Sequence, residues 1–375
     1  MNIGILGGGQ LARMLGEAGS RLALDFTILD PQPQACAGRQ GRLMTAPWDD
    51  ANALDALARC DRVTCDFENV PANVMTELTG RTTVHPSAEA LAAAQDRLVE
   101  KRLFAGLGIE VPPFAPVSTR PELLAALDEI GYPAVLKTRR MGYDGKGQAL
   151  LQTPEDLEPA WADLGDHALI LEGFVDFDFE CAITMVRGID GKVVCYPLSR
   201  TVHHDGILRL ALAPAGLDPA LQAQAERIGQ RLVEHLQYVG CLTLELFRVG
   251  DRLLANEFAP RVHNSAHWTI EGAQTSQFEN HLRAVCHWPL GSTDARGRSL
   301  MINFIGQMPD RDAFLAVPGL QWHDYGKSAR PGRKVGHATV TESDQVSLDS
   351  VLARLKPALD DQTLSLFDVL MNSSA

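Results

Sequence analysis

The fold is decided by the stretch Leu136-Lys137-Thr138-Arg139-Arg140-Met141-Gly142-Tyr143-Asp144-Gly145-Lys146-Gly147-Gln148, which lies between apolar runs at 133–136 and 149–151. This pattern predicts a strand, a flexible loop with three glycines and a second strand. Glycines allow backbone N–H groups to approach a phosphate closely, and they let a loop open and close. The stretch also carries four cations that suit an anion: Lys137, Arg139, Arg140 and Lys146. An exposed hairpin with solvated charges would have the same composition, so the rest of the chain must decide.

Composition and charge favour a globular protein and exclude several classes. The 375 residues suggest about two to three domains. No apolar run approaches the roughly 18 residues that span a bilayer, and no basic segment precedes an apolar stretch at the N-terminus. The net charge of −13 argues against nonspecific binding to nucleic acid or membranes. The seven cysteines are scattered without a C-x-x-C pair, which indicates reduced thiols in a cytoplasmic protein.

The N-terminal segment predicts a strand–helix–strand unit. A strand at 2–6 leads into Gly7-Gly8-Gly9-Gln10-Leu11-Ala12, which opens a helix, and a second strand ends at Asp30. This arrangement fits the G-x-G-x-x-A fingerprint of an NAD site, with an acid for the ribose. The alternative is a nucleotide-like unit that uses the helix N-terminus for another anion, or for none.

Further alternation of strands and helices predicts a parallel sheet that is covered on both faces. One of these strands is predicted at 82–85. Ligands of such sheets lie at the carboxyl ends of the strands, which makes Glu68 a candidate site residue. An acid that the helix dipole favours at a helix N-terminus is an equally good alternative. A single helix is predicted at 86–107, and its cations, among them Arg97 and Lys101, are expected to lie mainly on a solvated face.

Two later strands predict one wall of a nucleotide pocket. An apolar run at 168–171 ends in Glu172-Gly173-Phe174-Val175, where backbone groups after the carboxylate are suited to reading the edge of an adenine. Glu180 begins the next strand, and the polar loop His203-His204-Asp205-Gly206 follows. Because adjacent side chains on a strand point to opposite faces, only one of the two histidines is expected to enter a site.

The most diagnostic pattern is a hairpin with paired carboxylates. Residues 242–247 alternate as a strand, Gly250-Asp251 makes the turn and 253–258 returns, so Glu245 should lie opposite Asn256 or Glu257. Two carboxylates so close repel each other unless a cation lies between them, and oxygen ligands of this kind suit Mg²⁺. A solvent-facing hairpin is the alternative, but the surrounding leucines and phenylalanines favour burial.

Two polar segments follow this hairpin. Four polar residues directly after it indicate either a substrate loop or a turn with side-chain caps: Arg261, His263, Asn264 and Ser265. The segment from about 295 onward predicts a small β domain with a terminal helix. Four cations in eight residues of that segment indicate either a phosphate or carboxylate clamp or a solvated hairpin tip: Lys327, Arg330, Arg333 and Lys334.

Taken together, these parts resemble the ATP-grasp superfamily, in which two α+β lobes hold ATP between them, and in particular its purine-biosynthesis and biotin-carboxylase branch. Five motifs are similar to those of the N5-carboxyaminoimidazole ribonucleotide synthases: Gly-Gly-Gly-Gln-Leu-Ala-Arg-Met at 7–14, Phe-Glu-Asn-Val-Pro at 67–71, Gly-Tyr-Asp-Gly-Lys-Gly-Gln at 142–148, Glu-Phe-Ala-Pro-Arg-Val-His-Asn-Ser at 257–265 and Arg-Pro-Gly-Arg-Lys-Val-Gly-His at 330–337. They extend over nearly the whole chain.

The resemblance implies a mixed α/β and α+β fold with three domains. A Rossmann-like, pre-ATP-grasp domain with a parallel sheet is expected at 1–97. An ATP-grasp domain is expected at 98–292, with a flexible lid at about 113–178, and a small β-rich domain at 293–375.

The resemblance also implies the reaction and the partners. ATP and bicarbonate would be used to carboxylate 5-aminoimidazole ribonucleotide through carboxyphosphate, and closure of the glycine loop would keep that labile intermediate from water. Mg²⁺ is the expected metal, with Mn²⁺ as an alternative. A cytoplasmic homodimer without nucleic-acid or membrane partners is expected, with a downstream mutase as a recipient of the product.

The resemblance assigns roles to individual residues. The ATP phosphates would be held by Arg97, Lys137 and the loop Gly142, Tyr143, Asp144, Gly145, Lys146, Gly147 and Gln148, with His203 nearby. Adenine and ribose would contact Glu172, Gly173, Phe174, Val175 and Glu180. Glu245 and Glu257 would bind the metal, with Asn256 beside them. The catalytic set would be Arg261, His263, Asn264 and Lys327. The ribonucleotide would contact that set and Gly9, Gln10, Tyr143, Asp144, Lys146, Ser265, Arg333 and Lys334.

Three alternatives remain at this point. The chain would be another ATP-grasp ligase if it used a different acid or amine. It would be an NAD-dependent oxidoreductase if the 7–12 segment and Asp30 carried the function. A catalytically silent nucleotide-binding module is the third, but the intact Glu245, Asn256 and Glu257 argue against it.

Overall fold

The structure is a computed structural model that describes residues 1–142, 145–342 and 345–372. Its N-terminal part is built on four parallel strands: β1 Asn2–Leu6, β2 Asp25–Asp30, β3 Arg42–Thr45 and β4 Arg62–Cys65. They lie in the order β3-β2-β1-β4, so the first strand of the chain is central. The apolar residues of β1 are accordingly buried, with Ile3 and Ile5 inaccessible to solvent. The strand predicted at 82–85 is wrong, because this segment makes only an isolated bridge between Val63 and Val84.

Five helices accompany this sheet: α1 Gln10–Ser20, α2 Ala51–Leu57, α3 Ala72–Thr79, α4 Ala88–Ala94 and α5 Arg97–Gly106. The single helix predicted at 86–107 is therefore two helices. The break occurs because the Asp96 side chain accepts hydrogen bonds from the amides of Leu98 and Val99 and so caps α5.

The middle of the chain forms a four-stranded antiparallel sheet: β5 Phe114–Val117, β6 Ala134–Thr138, β7 Gln148–Leu151 and β8 Leu169–Gly173. These strands lie in the order β5-β8-β6-β7. Two helices cover the sheet: α6 Arg120–Ile130 and α7 Leu157–Leu164. Helix α6 begins with a capping box between Thr119 and Glu122. The predicted strand–loop–strand unit is confirmed as β6, the glycine loop and β7. We refer to this four-stranded unit as the lid unit.

The remaining strands form one nine-stranded sheet: β9 Phe179–Arg187, β10 Val193–Cys195, β11 Ser199–His204, β12 Ile207–Ala213, β13 Gly240–Val249, β14 Arg252–Ala259, β15 Arg298–Ile305, β16 Leu320–Asp324 and β17 Lys334–Glu342. Eight follow the order β14-β13-β9-β11-β12-β15-β17-β16, and β10 pairs with β9. Because β12 hydrogen-bonds to β15, the sheet is continuous across residue 293. The division into domains at 97 and 292 stays a prediction.

The helices of this part are α8 Pro219–His235, α9 Thr269–Gly272, α10 Gln277–Val285, α11 Arg311–Leu315, α12 Gln345–Leu355 and α13 Asp361–Asn372. One apolar core joins α1 to α10 and the large sheet through Leu15, Trp268 and Phe278, so the N-terminal sheet is fixed against the large one. None of the helices in the described ranges is long and apolar enough to cross a membrane.

Candidate active site

A cleft lies between the lid unit and the large sheet. The lid unit contributes the predicted nucleotide residues Lys137, Gly145, Gln148, Glu172, Gly173, Phe174 and Val175. The large sheet and the start of α5 contribute six further predicted residues, Arg97, Glu180, His203, Glu245, Asn256 and Glu257, whereas Gly142, Lys146 and Gly147 do not line this cavity. Two stacked phenylalanines on the large-sheet side, Phe177 and Phe247, add an apolar surface, with ring centroids 4.9 Å apart. Residues distant in sequence therefore line one cavity with a polar end and an apolar end.

A buried carboxylate with two lysines lies on one wall of the cleft. The Glu172 Oε2 atom is 3.0 Å from the Lys137 ammonium and 3.3 Å from that of Lys101. Burial opposes ionisation, but the two lysines outweigh it and lower the pKa of Glu172 to about 2. Lys137 is predicted from the sequence, whereas Lys101 is not. The prediction of a solvated face for Lys101 is wrong, since this residue is only 1% exposed.

The two predicted metal carboxylates face each other across β13 and β14. Glu245 pairs directly with Glu257, and the register shifts immediately afterward, which leaves Asn256 in a bulge. Burial raises the pKa of Glu245, and the neighbouring Glu257 carboxylate raises it further. The pKa of Glu257 lies below its ordinary value because the Arg97 guanidinium, 2.8 Å away, outweighs the effect of burial.

This pair fits a divalent cation that also binds substrate phosphates. Two carboxylates lie opposite each other, and burial leaves the charge of Glu245 poorly compensated, which a cation would correct. Across the described ranges, no group of three or more histidine, cysteine, aspartate or glutamate side chains is arranged to hold a metal without further ligands. The set is therefore suited to Mg²⁺, which usually keeps waters and takes phosphate oxygens as additional ligands.

The turn between β11 and β12 contacts the glycine loop. His203 points into the cleft, and its Nδ1 atom lies 2.7 Å from Glu180 Oε2, whereas His204 bonds to Gln362 outside the cleft. The pKa of His203 is raised because Glu180 outweighs the effect of burial. The expectation that only one histidine enters the site therefore agrees with the geometry. Gly145 approaches the turn so closely that a Cβ atom on it would lie 2.7 Å from the Asp205 carbonyl oxygen.

A second cavity adjoins the first and shares Arg97 and Glu257 with it. Arg261 and His263 line this cavity together with Glu68, whose carboxylate pairs with the Arg261 guanidinium. Burial lowers the pKa of His263 well below its ordinary value, so its imidazole is neutral. The Ser265 amide is placed to donate to His263 Nδ1 at 3.4 Å, so we assign the ring proton to Nε2, which is 3.5 Å from Glu245 Oε1.

Two other residues of the predicted substrate loop lie behind this cavity. The Asn264 amide is buried and exchanges hydrogen bonds with the Asn303 amide at 3.0 and 2.5 Å. Ser265 is inaccessible to solvent, and its hydroxyl lies 2.9 Å from His263 Nδ1. In this structure both residues hold the loop in place, as the capped-turn alternative describes.

The glycine loop is described except at its centre. Tyr143 and Asp144, which the sequence assigns to ATP and the ribonucleotide, lie outside the described residues. Gly142 lines the second cavity, and the Gly147 carbonyl accepts from the Thr138 amide at the base of the loop. Lys146 is exposed.

The predicted C-terminal clamp reaches the N-terminal glycine segment. Lys327 donates a hydrogen bond to the Gln10 side chain, although the two residues are far apart in sequence. Burial lowers the pKa of Lys327, and the nearby cations Arg333 and Lys334 lower it further. Lys334 also interacts electrostatically with Glu245, so the cationic segment and the carboxylate hairpin border the same region. Gly9 and Gln10 begin α1 there.

Backbone amides of the first glycine segment donate hydrogen bonds to aspartate side chains of the chain itself. The Gly8 amide donates to Asp30 Oδ2 at 2.7 Å, and the Ala12 amide donates to Asp66 Oδ2 at 3.1 Å. Burial raises the pKa of Asp66 to about 6, and the Ala12 amide limits that rise. The Gly8 and Ala12 amides are therefore not available to a dinucleotide pyrophosphate, and the NAD alternative is not favoured.

Sequence reasoning missed three charged residues near the cleft: Asp96, Glu100 and Lys101. Asp96 binds Arg139 through two hydrogen bonds of 2.7 and 3.0 Å, which fixes the base of the glycine loop to the start of α5. Glu100 and Lys101 contact the backbone of β14. Glu100 and Lys101 follow Arg97 by three and four positions and so share its helix face. This spacing is the sequence feature that could have assigned them to the site.

The lid unit, the large sheet and the cleft between them define an ATP-grasp protein. A family model described as an ATP-grasp domain matches residues 102–278, and one for the ribonucleotide synthetase preATP-grasp domain matches 1–95. A third, for the phosphoribosylaminoimidazole carboxylase C-terminal domain, matches 299–350. The predicted fold class is confirmed.

Comparison with individual proteins specifies the family. The chain is 48% identical over 361 residues to the N5-carboxyaminoimidazole ribonucleotide synthase of Pseudomonas aeruginosa, covering 96% of this chain and 100% of that protein. The Thermus thermophilus synthetase structure has a TM-score of 0.92 and 52% identity, with 96% and 99% coverage. An Aspergillus clavatus synthase structure in complex with ADP and 5-aminoimidazole ribonucleotide has a TM-score of 0.87 and 30% identity, with 99% and 98% coverage. The chain belongs to the N5-carboxyaminoimidazole ribonucleotide synthase family of ATP-dependent ligases.

Proposed function

We propose that this chain carboxylates 5-aminoimidazole ribonucleotide to N5-carboxyaminoimidazole ribonucleotide, in the synthesis of purines, and consumes ATP and bicarbonate while releasing ADP and phosphate. The observation that carries the proposal is the pair of adjoining cavities with Arg97 and Glu257 in their common wall. The first cavity is lined by the residues assigned to ATP, a nucleoside triphosphate. The second is lined by the Arg261 guanidinium and the neutral His263 imidazole. The Aspergillus clavatus complex with ADP and the ribonucleotide supports this assignment.

In the first cavity, ATP is bound by charge and by backbone contacts. Lys137 and Arg97 hold the phosphates, and the 142–148 loop covers them, with His203 at their side. Residues 172–175 and Glu180 bind adenine and ribose. Phosphoryl transfer needs chiefly positioning and charge neutralisation, which these residues supply.

Glu245 and Glu257 hold Mg²⁺, or Mn²⁺, with Asn256 beside them. When bound, the cation would neutralise part of the negative charge on the ATP phosphates. Burial and the neighbouring Glu257 carboxylate raise the pKa of Glu245 although His203 and Lys334 oppose this rise, which supports the role.

In the second cavity, bicarbonate is positioned by Arg261 and by the Nε2–H group of His263. An oxygen of bicarbonate attacks the γ-phosphorus of ATP, ADP leaves, and carboxyphosphate forms. Its C–O bond then breaks to give phosphate and CO₂, and the amine of the ribonucleotide forms the new C–N bond and loses a proton. The neutral state of His263 suits a hydrogen-bond donor that does not trap the anion as a fixed charge.

The ribonucleotide lies between the N-terminal segment and the C-terminal clamp. Gly9 and Gln10 contact it from one side, and Lys327, Arg333 and Lys334 contact it from the other. Lys146 contacts it from the glycine loop, and Asn264 and Ser265 support the loop behind it. Tyr143 and Asp144, which lie outside the described residues, remain assigned to it by the family resemblance alone. The hydrogen bond between Lys327 and Gln10 supports this placement.

We also propose that the chain works as a homodimer in the cytoplasm and that a downstream mutase receives its product. All seven cysteines lack disulfide partners, which supports a reducing compartment.

The test is ADP release measured with each substrate omitted in turn. Full release is expected only when bicarbonate and 5-aminoimidazole ribonucleotide are both present. ADP release with formate, and none with bicarbonate plus the ribonucleotide, would assign a different ATP-grasp ligase. Glu257→Gln, which keeps the side-chain volume but removes a metal ligand, should lose turnover while retaining the fold by circular dichroism. Unchanged turnover would remove Glu257 from the metal site.

A further inference from the structure

The bulge in β14 leaves part of the metal-binding strand without its usual hydrogen bonds. Glu245 pairs with Glu257, but the next residue of β13, Leu246, pairs with Ala255. Asn256 is therefore the extra residue of the bulge and has no partner on β13. Its backbone carbonyl requires another donor, because unsatisfied backbone groups inside a protein are costly.

Helix α5 supplies that donor. The Lys101 ammonium lies 2.7 Å from the Asn256 carbonyl oxygen and 3.5 Å from that of Ala255. Lys101 is 1% exposed, and its charge is balanced by Glu172 at 3.3 Å. A fully buried lysine is rare, and here its three donors are directed at two carbonyls and one carboxylate.

The residue before Lys101 holds the other side of the same strand. Glu100 is 2% exposed, and its Oε1 atom accepts a hydrogen bond of 2.7 Å from the Phe258 amide. The two contacts flank Glu257, one at the preceding carbonyl and one at the following amide. Arg97, one helical turn earlier, holds the Glu257 carboxylate itself at 2.8 Å.

We propose that Glu100 and Lys101 form a backbone clamp that orients the Glu257 carboxylate toward Glu245. They are positioning residues, since neither touches the proposed metal ion. Without the clamp the bulge loses two of the contacts that fix its conformation, and only Arg97 still orients the Glu257 carboxylate. The inference rests on the metal role of Glu257 in the proposed function.

The clamp also connects the metal strand to the glycine loop. Asp96 caps α5 and pairs with Arg139 and with Arg140, the latter at 3.2 Å, at the base of that loop. One helix therefore contacts both the base of the glycine loop and the metal strand.

The experiment compares Glu100→Gln with Glu100→Met in the full chain. Glutamine keeps an oxygen that accepts from the Phe258 amide, whereas methionine fills similar volume without an acceptor. Binding of Mn²⁺ in the presence of ADP is measured by water-proton relaxation. The dissociation constant should stay within about 3-fold for Glu100→Gln and rise roughly 10- to 100-fold for Glu100→Met, as expected for a lost buried hydrogen bond.

Lys101→Met is the second variant, and Arg102→Met, an exposed cation on the same helix, is its matched control. Lys101→Met should weaken Mn²⁺ binding at least as much as Glu100→Met, and Arg102→Met should not change it. If Lys101→Met fails to fold, the two Glu100 variants decide. A lowered melting temperature with unchanged Mn²⁺ affinity in Glu100→Met would overturn the clamp. Failure of carboxylation with the predicted Mn²⁺ effects would instead refute the proposed function alone.

Discussion

The two loops at 7–9 and 142–147 are both rich in glycine, but their backbones have different partners. In the first, aspartate carboxylates accept hydrogen bonds from the backbone amides, as in the 2.7 Å hydrogen bond from the Gly8 amide to Asp30. In the second, Gly145 lines the cleft and Gly142 lines the adjoining cavity. A glycine pattern therefore predicts that an oxygen approaches the backbone closely, but it does not say whether a ligand or the protein provides that oxygen.

Glycine is required in the first loop by Asp66 rather than by a phosphate. A Cβ atom on Gly7 would lie only 1.8 Å from Asp66 Oδ1, and one on Gly9 would lie 2.9 Å from Oδ2. The buried carboxylate occupies the position at the N-terminus of α1 where a phosphate lies in dinucleotide sites. The loop serves mainly to pack Asp66, whereas the second loop serves the cleft.

The largest expected effect is on stability and concerns the first loop. Gly7→Ala places a side chain against Asp66 at a φ of +101°, so we expect a loss of roughly 4 kcal/mol in the free energy of unfolding. Chemical denaturation of both proteins measures this loss. Gly131→Ala is the control, because Gly131 also has a positive φ, of +85°, but nothing lies near its added Cβ. Equal losses in the two variants would show that backbone strain, and not Asp66, requires Gly7.

The ionisation of Asp66 gives the next effect. Its pKa of about 6 in the folded chain exceeds its ordinary value of 3.8, so the folded state binds the proton more tightly. This contribution to stability is complete below pH 4 and is lost as the pH rises through 6, by on the order of 3 kcal/mol. Asp66→Asn cannot ionise, so its melting temperature should rise relative to the wild type between pH 4 and pH 7.

Calorimetry at pH 4, 5, 6 and 7 measures this difference between the two proteins. Asp61→Asn, an exposed aspartate in the neighbouring turn, is the control and should show no comparable trend. A difference that is constant over this range would mean that Asp66 keeps an ordinary pKa in the folded chain.

The second loop should respond in catalysis instead of stability. Gly145 has a φ of +75°, and an added Cβ would lie 2.7 Å from the Asp205 carbonyl oxygen. Gly145→Ala should therefore oppose closure and lower kcat/KM for ATP roughly 10- to 100-fold, while the melting temperature changes little. Steady-state kinetics with varied ATP measures this effect.

Gly250→Ala tests whether the positive φ alone is responsible. Gly250 has a φ of +62° in the turn between β13 and β14, and nothing lies within contact of its added Cβ. It should keep kcat/KM for ATP close to that of the wild type. An equal loss in the two variants would contradict a specific contact between the glycine loop and the Asp205 turn.

The sequence predicted the features that depend on local periodicity. The strand–loop–strand unit at 136–148 follows from apolar runs on either side of glycines, and the length of one hairpin places Glu245 opposite Asn256 or Glu257. The bulge, which the sequence does not show, selects Glu257. The fold class followed from the order of such units. These features are determined by residues near each other in the chain, which a single sequence displays directly.

The features that depend on distant partners were not predictable from local patterns. Lys101 has the spacing of a solvated helix face, and only packing against Asn256, 155 positions later, buries it. The helix break at Asp96 depends likewise on Arg139 as well as on capping. Without knowledge of distant partners, a charged helical residue is predicted to lie on the surface. That prediction is wrong at a site where charged side chains are buried in pairs.

The smallest expected effect concerns the turn that the second loop contacts. Gln362 of α13 lies beyond the family-model match, which ends at residue 350, yet its Nε2 atom is 2.6 Å from His204 Nε2. Arg209 donates a hydrogen bond of 2.7 Å to the side-chain oxygen Oε1 of Gln362. Because this exposed contact steadies the 203–206 turn without entering the cleft, Gln362→Ala should raise KM for ATP about 2- to 3-fold and leave kcat nearly unchanged. Asp368→Ala is the control, because Asp368 is exposed on the same helix, and it should change neither constant. Equal KM values for the wild type and both variants would mean that α13 does not support the turn that the second glycine loop contacts.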